Sequence, residues 1–150
     1  MALPEFLAGR LATQLESVGL VLKNATPAKR PKSGEWSAHE NLAHLVQHHN
    51  ATLGRVRRIL AEDRPPLPSY RAETDLEWPA LVDESTEGVV RKLLAARQEM
   101  IALTTDLSPE QRVDIHAAFG PMTLAQWLDF FLIHEAHHLY VAMTRAHGHE

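Results

Sequence analysis

Near the end of the chain stands His134-Glu135-Ala136-His137-His138, inside a run from Leu124 to Arg145 with helical patterning. On a helix, residues four apart stack on one face, so His134 and His138 can hold one metal ion between them. Their stripe also carries Trp127, Phe131 and Ala142, with Leu128, Leu132, Leu139 and Met143 beside it, so both imidazoles turn toward the core. Each must be desolvated and given a partner there, and a shared cation serves both. A third ligand must come from another helix. The run after Trp36 offers His39, His44, His48 and His49, and periodicity does not select among them: His49 shares the apolar stripe Leu42, Val46, Leu53, Val56, Leu60, whereas His44 lies off it beside His48.

The same five residues spell the H-E-x-x-H of a zinc protease. That reading fails on its third ligand. The common short extension places Gly and His three and six residues after the second histidine, and Val141 and Thr144 stand there. Only His147, His149 and Glu150 remain downstream, in a terminal tail. Glu135 points about 100° away from His134 and is expected behind the site or on the surface.

Four helical segments are expected to position these residues. The first, Pro4 to Asn24, carries Leu7, Leu11, Leu15, Val18 and Leu22 in one stripe, with proline tolerated in its first turn. A loop rich in Pro, Lys and Gly leads to Trp36. The second helix opens on the capping box Ser37-Ala38-His39-Glu40 and runs to about Glu62, where Arg64-Pro65-Pro66-Leu67-Pro68 stops it. The connection from Asp63 to Trp78 exceeds an ordinary helix–helix loop and suits a cover, with Tyr70, Arg71 and Trp78 as candidates for substrate contact. The third helix is expected from Pro79 to Asp106, with Val90, Leu93, Leu94, Arg97, Ile101 and Leu103 on or beside its buried side and Gly88 weakening its start. Phe119-Gly120-Pro121-Met122 reads as a turn, and Thr123-Leu124-Ala125-Gln126 as a second capping box opening the last helix. With no credible strand run, the expected fold is all-α: a four-helix bundle forming a single domain over 1–150.

The 150 residues are 45% hydrophobic and 23% charged, ordinary for one domain with one core. A formal charge of −4 argues against nucleic-acid binding. Without cysteine there is no thiolate ligand, so a transition metal would be held by histidine and carboxylate. The start Met-Ala-Leu-Pro-Glu-Phe lacks a signal-peptide pattern, and no apolar stretch reaches membrane-spanning length; a cytoplasmic location is expected.

Two motifs, in order and covering nearly the whole chain, carry a resemblance. The first is a tryptophan at a helix start followed eight residues later by His-Leu, here Trp36 to His44-Leu45. The second is a Gly-Pro-hydroxyl turn entering an aromatic helix and ending in H-x-x-x-H, here Gly120-Pro121-Met122-Thr123, Trp127, His134 and His138. Together they resemble the DinB/YfiT-like family of metal-binding four-helix bundles. The resemblance implies His44, His134 and His138 as ligands of one divalent ion, with Zn, Ni, Mn, Fe and Co all compatible with imidazole donors. It also implies a small-molecule substrate, and metal-dependent hydrolysis or thiol-S-transfer from a low-molecular-weight thiol to a small electrophile. The alternative is a metal-binding or stress-response bundle without turnover. Many members carry Gln where this chain has Val141, and His49 falls where relatives often have an acidic residue or His, which makes it a candidate pocket residue. His39, His48, His116, His147 and His149 are expected at the surface. Apolar residues around two helix ends (Val18, Leu20, Val21, Leu22 and Leu139, Tyr140, Val141, Met143) lead us to expect a homodimer.

Overall fold

In the computed structural model, which describes residues 3–105, 112–116 and 119–148, the bundle is built from helices α1 (Glu5–Thr13), α2 (Ser17–Leu22), α3 (Ala38–Ala61), α4 (Trp78–Asp83), α5 (Thr86–Thr104) and α6 (Leu124–Ala146). The expected first helix is α1 and α2 joined through a tighter 3₁₀ turn at Gln14–Glu16. The expected third helix is also divided, because Ser85 starts a new one: its hydroxyl accepts the Gly88 N–H at 3.0 Å while Glu84 and Ser85 stay extended. Gly88 therefore sits in a capped first turn. The expected end of that helix at Asp106 lies outside the described residues.

Both capping boxes form. Ser37 Oγ accepts the Glu40 N–H at 3.1 Å and Glu40 Oε1 accepts the Ser37 N–H at 3.2 Å. Thr123 and Gln126 do the same at 3.1 and 2.9 Å. Each box satisfies two backbone donors that a helix start would leave open, and so fixes where α3 and α6 begin. Arg30 adds a clamp on the first box, its Nε donating to Glu40 Oε1 at 2.7 Å.

α3 packs against α5 on one side and α6 on the other, and α1–α2 close over α6 and α5. One half of the core gathers Leu7, Leu11, Leu53, Met100, Leu128 and Phe131; the other gathers Leu15, Leu42, Leu45, Leu81, Leu93 and Leu139. On α5 the buried stripe is Val89, Leu93, Ala96, Arg97 and Met100, while the expected Leu94 is exposed. On α3, Ile59 is buried in place of Leu60. Val18, Val21 and Leu139 are buried within the chain, whereas Leu20 and Tyr140 stay 60% and 70% exposed, as do Phe6 on α1 and Ile133 on α6 at 80% and 69%.

One element departs from the all-helical expectation. Arg112–His116 (β1) pairs antiparallel with Gly120–Thr123 (β2), Arg112 opposite Thr123 and Val113 opposite Met122, with a register shift before His116 meets Gly120. Gly120 turns the chain at φ +67°, a conformation that costs glycine little. The alternation Val113-Asp114-Ile115 is too short to signal a strand by itself. Thr123 ends β2 and caps α6, so the hairpin feeds directly into the helix that carries the histidine pair. Among the described residues no helix is long and apolar enough to cross a membrane.

Candidate metal centre

Helices α3 and α6 lie side by side, and their facing surfaces bring His44, His134 and His138 together. One nitrogen from each lies within 4.8 Å of the other two, and the ring centroids are 4.5–5.3 Å apart. Donors around a tetrahedral ion at ~2.1 Å are about 3.4 Å apart, so closing on one ion takes side-chain shifts of about 1 Å.

Two of the imidazoles are aimed from behind. Asn41, one helical turn before His44's neighbour Leu45, spends its amide N–H groups on the carbonyls of Ser37 at 2.9 Å and Trp36 at 3.5 Å. Its carbonyl oxygen is thereby turned toward His138 Nδ1 at 2.8 Å and accepts that N–H, leaving the Nε2 lone pair available. His44 is handled alike: Gln47 Nε2 donates to the Ala72 carbonyl at 3.4 Å, and Gln47 Oε1 accepts from His44 Nδ1 at 3.2 Å. Such partners set tautomer and ring orientation in metal sites. His134 has no such partner; its Nδ1 is buried without a hydrogen bond. An orphaned buried nitrogen costs about 1–3 kcal/mol, and an imidazole without a competing hydrogen bond fits the role of a metal donor.

The protonation state suits that role. Burial pulls His134 down to about 4 and His138 to about 3, and the neighbouring His44 pushes both the same way. Both rings are therefore neutral at pH 7, with lone pairs free and no proton to displace.

Around the imidazoles is an open cleft of about 480 Å³, walled by Trp36 and Phe130 on the apolar side and by Arg55, Tyr70 and Arg71 on the polar side. Of the residues expected in the covering connection, Tyr70 and Arg71 line this cleft, and Trp78 lies behind, its ring 5.1 Å from Trp36. His48, expected at the surface, is buried beside the triad, stacked on Phe131 at 5.3 Å with its ring 3.9 Å from that of His134. His39 is buried too, bonded through Nδ1 to Thr86 Oγ1 and through Nε2 to the Val82 carbonyl, both at 2.9 Å, which ties α3 to α4 and α5. Both are misread from sequence for one reason: α3 is buried around its whole circumference from Ala38 to His49. His147 and His137 are exposed; His149 and the side chain of His116 lie outside the described residues.

Behind α6 lies a second polar group. Glu135 is fully buried and not at the surface. Its Oε2 is paired with Arg97, and its Oε1 accepts from Gln14 Nε2 at 2.9 Å. Arg97 also donates to the Leu11 carbonyl at 2.8 Å. His49, considered above as a pocket residue, belongs here instead: it is completely buried, donates from Nδ1 to the Leu45 carbonyl at 2.8 Å, and holds Nε2 3.3 Å from Glu135 Oε2. The hundred-degree offset that turned Glu135 away from the face of His134 and His138 thus turned it into the bundle interior.

Burial first, and the Arg97 charge second, push His49 down to about 3. Below the ordinary histidine value of ~6.5 the unfolded chain binds a proton at this residue that the folded chain refuses. Stability therefore falls as pH drops from ~6.5 toward 3, by up to ~1.4 kcal/mol per pH unit from His49 alone, and is fully retained above that window. Chelator-treated protein melted between pH 7.5 and 4.5 should show this decline, to which the depressed His134 and His138 add, and His49→Gln should make it shallower. Identical slopes for the two proteins would refute the assignment.

A bundle with three convergent imidazoles, two of them oriented by side-chain amides and all lining a cleft, has a donor set that could hold a metal ion. The chain belongs to the DinB superfamily, whose family model matches residues 12–142. It is 30% identical to the uncharacterized protein YuaE of Bacillus subtilis over 89% of this chain and 90% of that one. It is 25% identical to a protein of Oceanobacillus iheyensis named "Putative metal-dependent hydrolase OB0782", over 72% of this chain and 63% of that one. Among solved structures, YfiT from Bacillus subtilis, described as "a probable metal-dependent hydrolase with an unusual four-helix bundle topology", superposes with a TM-score of 0.77 at 18% identity, covering 97% of this chain and 88% of YfiT. At that identity the match establishes the fold.

Proposed function

We propose that His44, His134 and His138 hold one divalent transition-metal ion, and that the chain is a metal-dependent enzyme acting on a small electrophile by hydrolysis or by thiol-S-transfer. The observation that carries this reading is the convergence of the three imidazoles along an open cleft. A closed structural site would be filled by protein ligands, whereas three ligands leave room for a reactant. When bound, a divalent ion acidifies water or a thiol and so supplies a nucleophile near neutral pH. The protein's share is positional. Asn41 and Gln47 hold two rings in their ligating orientation, and Trp36 and Phe130 narrow the wet approach to them. The names of OB0782 and YfiT support hydrolysis for the relatives; the thiol variant rests on the family resemblance of the two motifs.

The test is turnover of purified protein loaded in turn with Zn, Ni, Mn, Fe and Co, against activated esters and amides in water and against electrophiles with several low-molecular-weight thiols. Activity should require metal, and it should vanish on chelation and return on reloading. Stoichiometric metal with no turnover under any pairing would favour the non-catalytic bundle.

A further inference from the structure

The cleft beside the three imidazoles is cationic in a chain whose formal charge is −4. Among the described residues its wall includes Arg55 and Arg71 and neither Asp nor Glu. Arg55 lies eleven residues beyond His44 on α3, close to three full turns, so both project from nearly the same side. Its guanidinium is held at two points. Nη2 donates to the Pro68 carbonyl at 2.7 Å, and the carbon of the fork sits 4.8 Å from the centre of the Trp127 ring.

What Arg55 lacks is a carboxylate. Arg30, Arg57, Arg58, Arg97 and Arg145 each meet a glutamate, whereas Arg55 has no ion pair among the described residues. It is half-buried, and burial pulls its proton affinity down from the usual value, yet a guanidinium remains charged in proteins. A half-buried charge without a counter-ion is costly unless something arrives to neutralise it. Stacking on Trp127 and bonding to Pro68 also pre-orient the fork, so little freedom is lost when an anion docks.

We propose that the substrate, or the thiol cosubstrate, carries a carboxylate that binds Arg55, with its reacting atom at the three-histidine end of the cleft. Trp127, under Arg55, and His134 are seven residues apart on α6, which sets the span between the two ends at about 10 Å. A planar carboxylate matches the guanidinium fork with two parallel hydrogen bonds. Of the two guanidiniums on this wall, that of Arg55 is the one held by a hydrogen bond and a ring contact among the described residues, and one fixed guanidinium balances one negative charge, as a carboxylate carries. This inference rests on the metal reading above, with Arg55 as a specificity residue outside the ligand set.

The experiment uses full-length protein loaded with Co(II), on which a bound thiolate gives a charge-transfer band; the thiol serves only as a metal-seeking head. The probes are 6-mercaptohexanoate, its neutral analogue 6-mercaptohexanol, and the shorter 3-mercaptopropionate. The long carboxylate should bind at least about ten-fold tighter than the alcohol, and the short one should gain less because it does not span the cleft. Arg55→Gln should erase the preference while leaving the alcohol's affinity within about two-fold, and Arg55→Lys, keeping the charge without the fork, should restore part of it. Equal affinities in the unaltered protein, or a preference that survives in R55Q, would overturn the proposal. If none of the thiols gives a band, the metal reading has failed, and calorimetric titration of the metal-free protein with hexanoate and hexanol decides the anion site alone. Heat from hexanoate only, lost in R55Q, supports it; matching titrations reject it.

Discussion

His138→Ala protein should emerge from purification and metal loading with far less than one ion per chain, its helical circular dichroism little changed. His138 is half-buried at the cleft edge of α6, so its removal deletes a donor without opening the core. Loss of a partner behind a ligand usually costs roughly 10–100-fold in metal affinity, and loss of the ligand itself should exceed that. Asn41→Ala supplies the graded control. It leaves all three imidazoles in place and frees His138 to rotate, so affinity should drop by roughly 10–100-fold with stoichiometry recovered at high metal. Mass-spectrometric metal content and a competitive chelator titration read both. Stoichiometric metal in H138A would reject the three-histidine centre.

The second large effect lies behind the cleft. Arg97→Ala leaves Glu135 buried with Gln14 and the depressed His49 as its polar neighbours and deprives the Leu11 carbonyl of its donor. Breaking one half of a buried ion pair typically costs ~3–5 kcal/mol, because the remaining charge stays in the interior uncompensated. For a domain of this size that corresponds to a fall in melting temperature of roughly 10 °C. The double variant Arg97→Met with Glu135→Leu should recover most of the loss, since an apolar pair of similar volume removes both charges together. Urea unfolding of the two variants decides it; a cost below ~1 kcal/mol for R97A would show that water reaches Glu135.

These residues also mark where sequence reasoning stops. The helix starts at Ser37 and Thr123 are legible because a capping box is a local device written in four consecutive residues. The pair His134 and His138 is legible for the same reason, since helical spacing alone places both rings on one face. The third histidine is not. A helical wheel ranks positions by the apolar company they keep, and His49 keeps the best company on α3 because it points into the bundle interior. His44 lies where α3 meets α6 at the cleft, among His48, Asn41 and Gln47, so polarity near a functional seam hides it; only the Trp36-to-His44 spacing shared with the family singles it out. Glu135 is hidden differently. It is a charge on a helix, ordinarily a surface residue, and its pairing with Arg97, which the stripe of α5 does place on the buried side, joins positions 38 residues apart that come together only when the bundle closes. The hairpin of β1 and β2 escapes because its strands are short and pair only with each other.

The division of labour between frame and wall has a consequence for how such proteins diversify. His44, His134 and His138, and the amides of Asn41 and Gln47, all ride on two long helices whose starts are fixed by capping boxes. Ser69, Tyr70, Arg71 and Ala72, which form the opposite bank of the cleft, belong to the connection between α3 and α4, anchored by the buried Leu67 and by Arg55 and Arg58 bonding to its prolines. Imidazoles and Arg55 held by rigid helices and a facing bank held by an exchangeable segment can drift independently. A lineage could rewrite that segment, residue by residue or by insertion, and reshape the cleft without moving the helices that carry the three imidazoles.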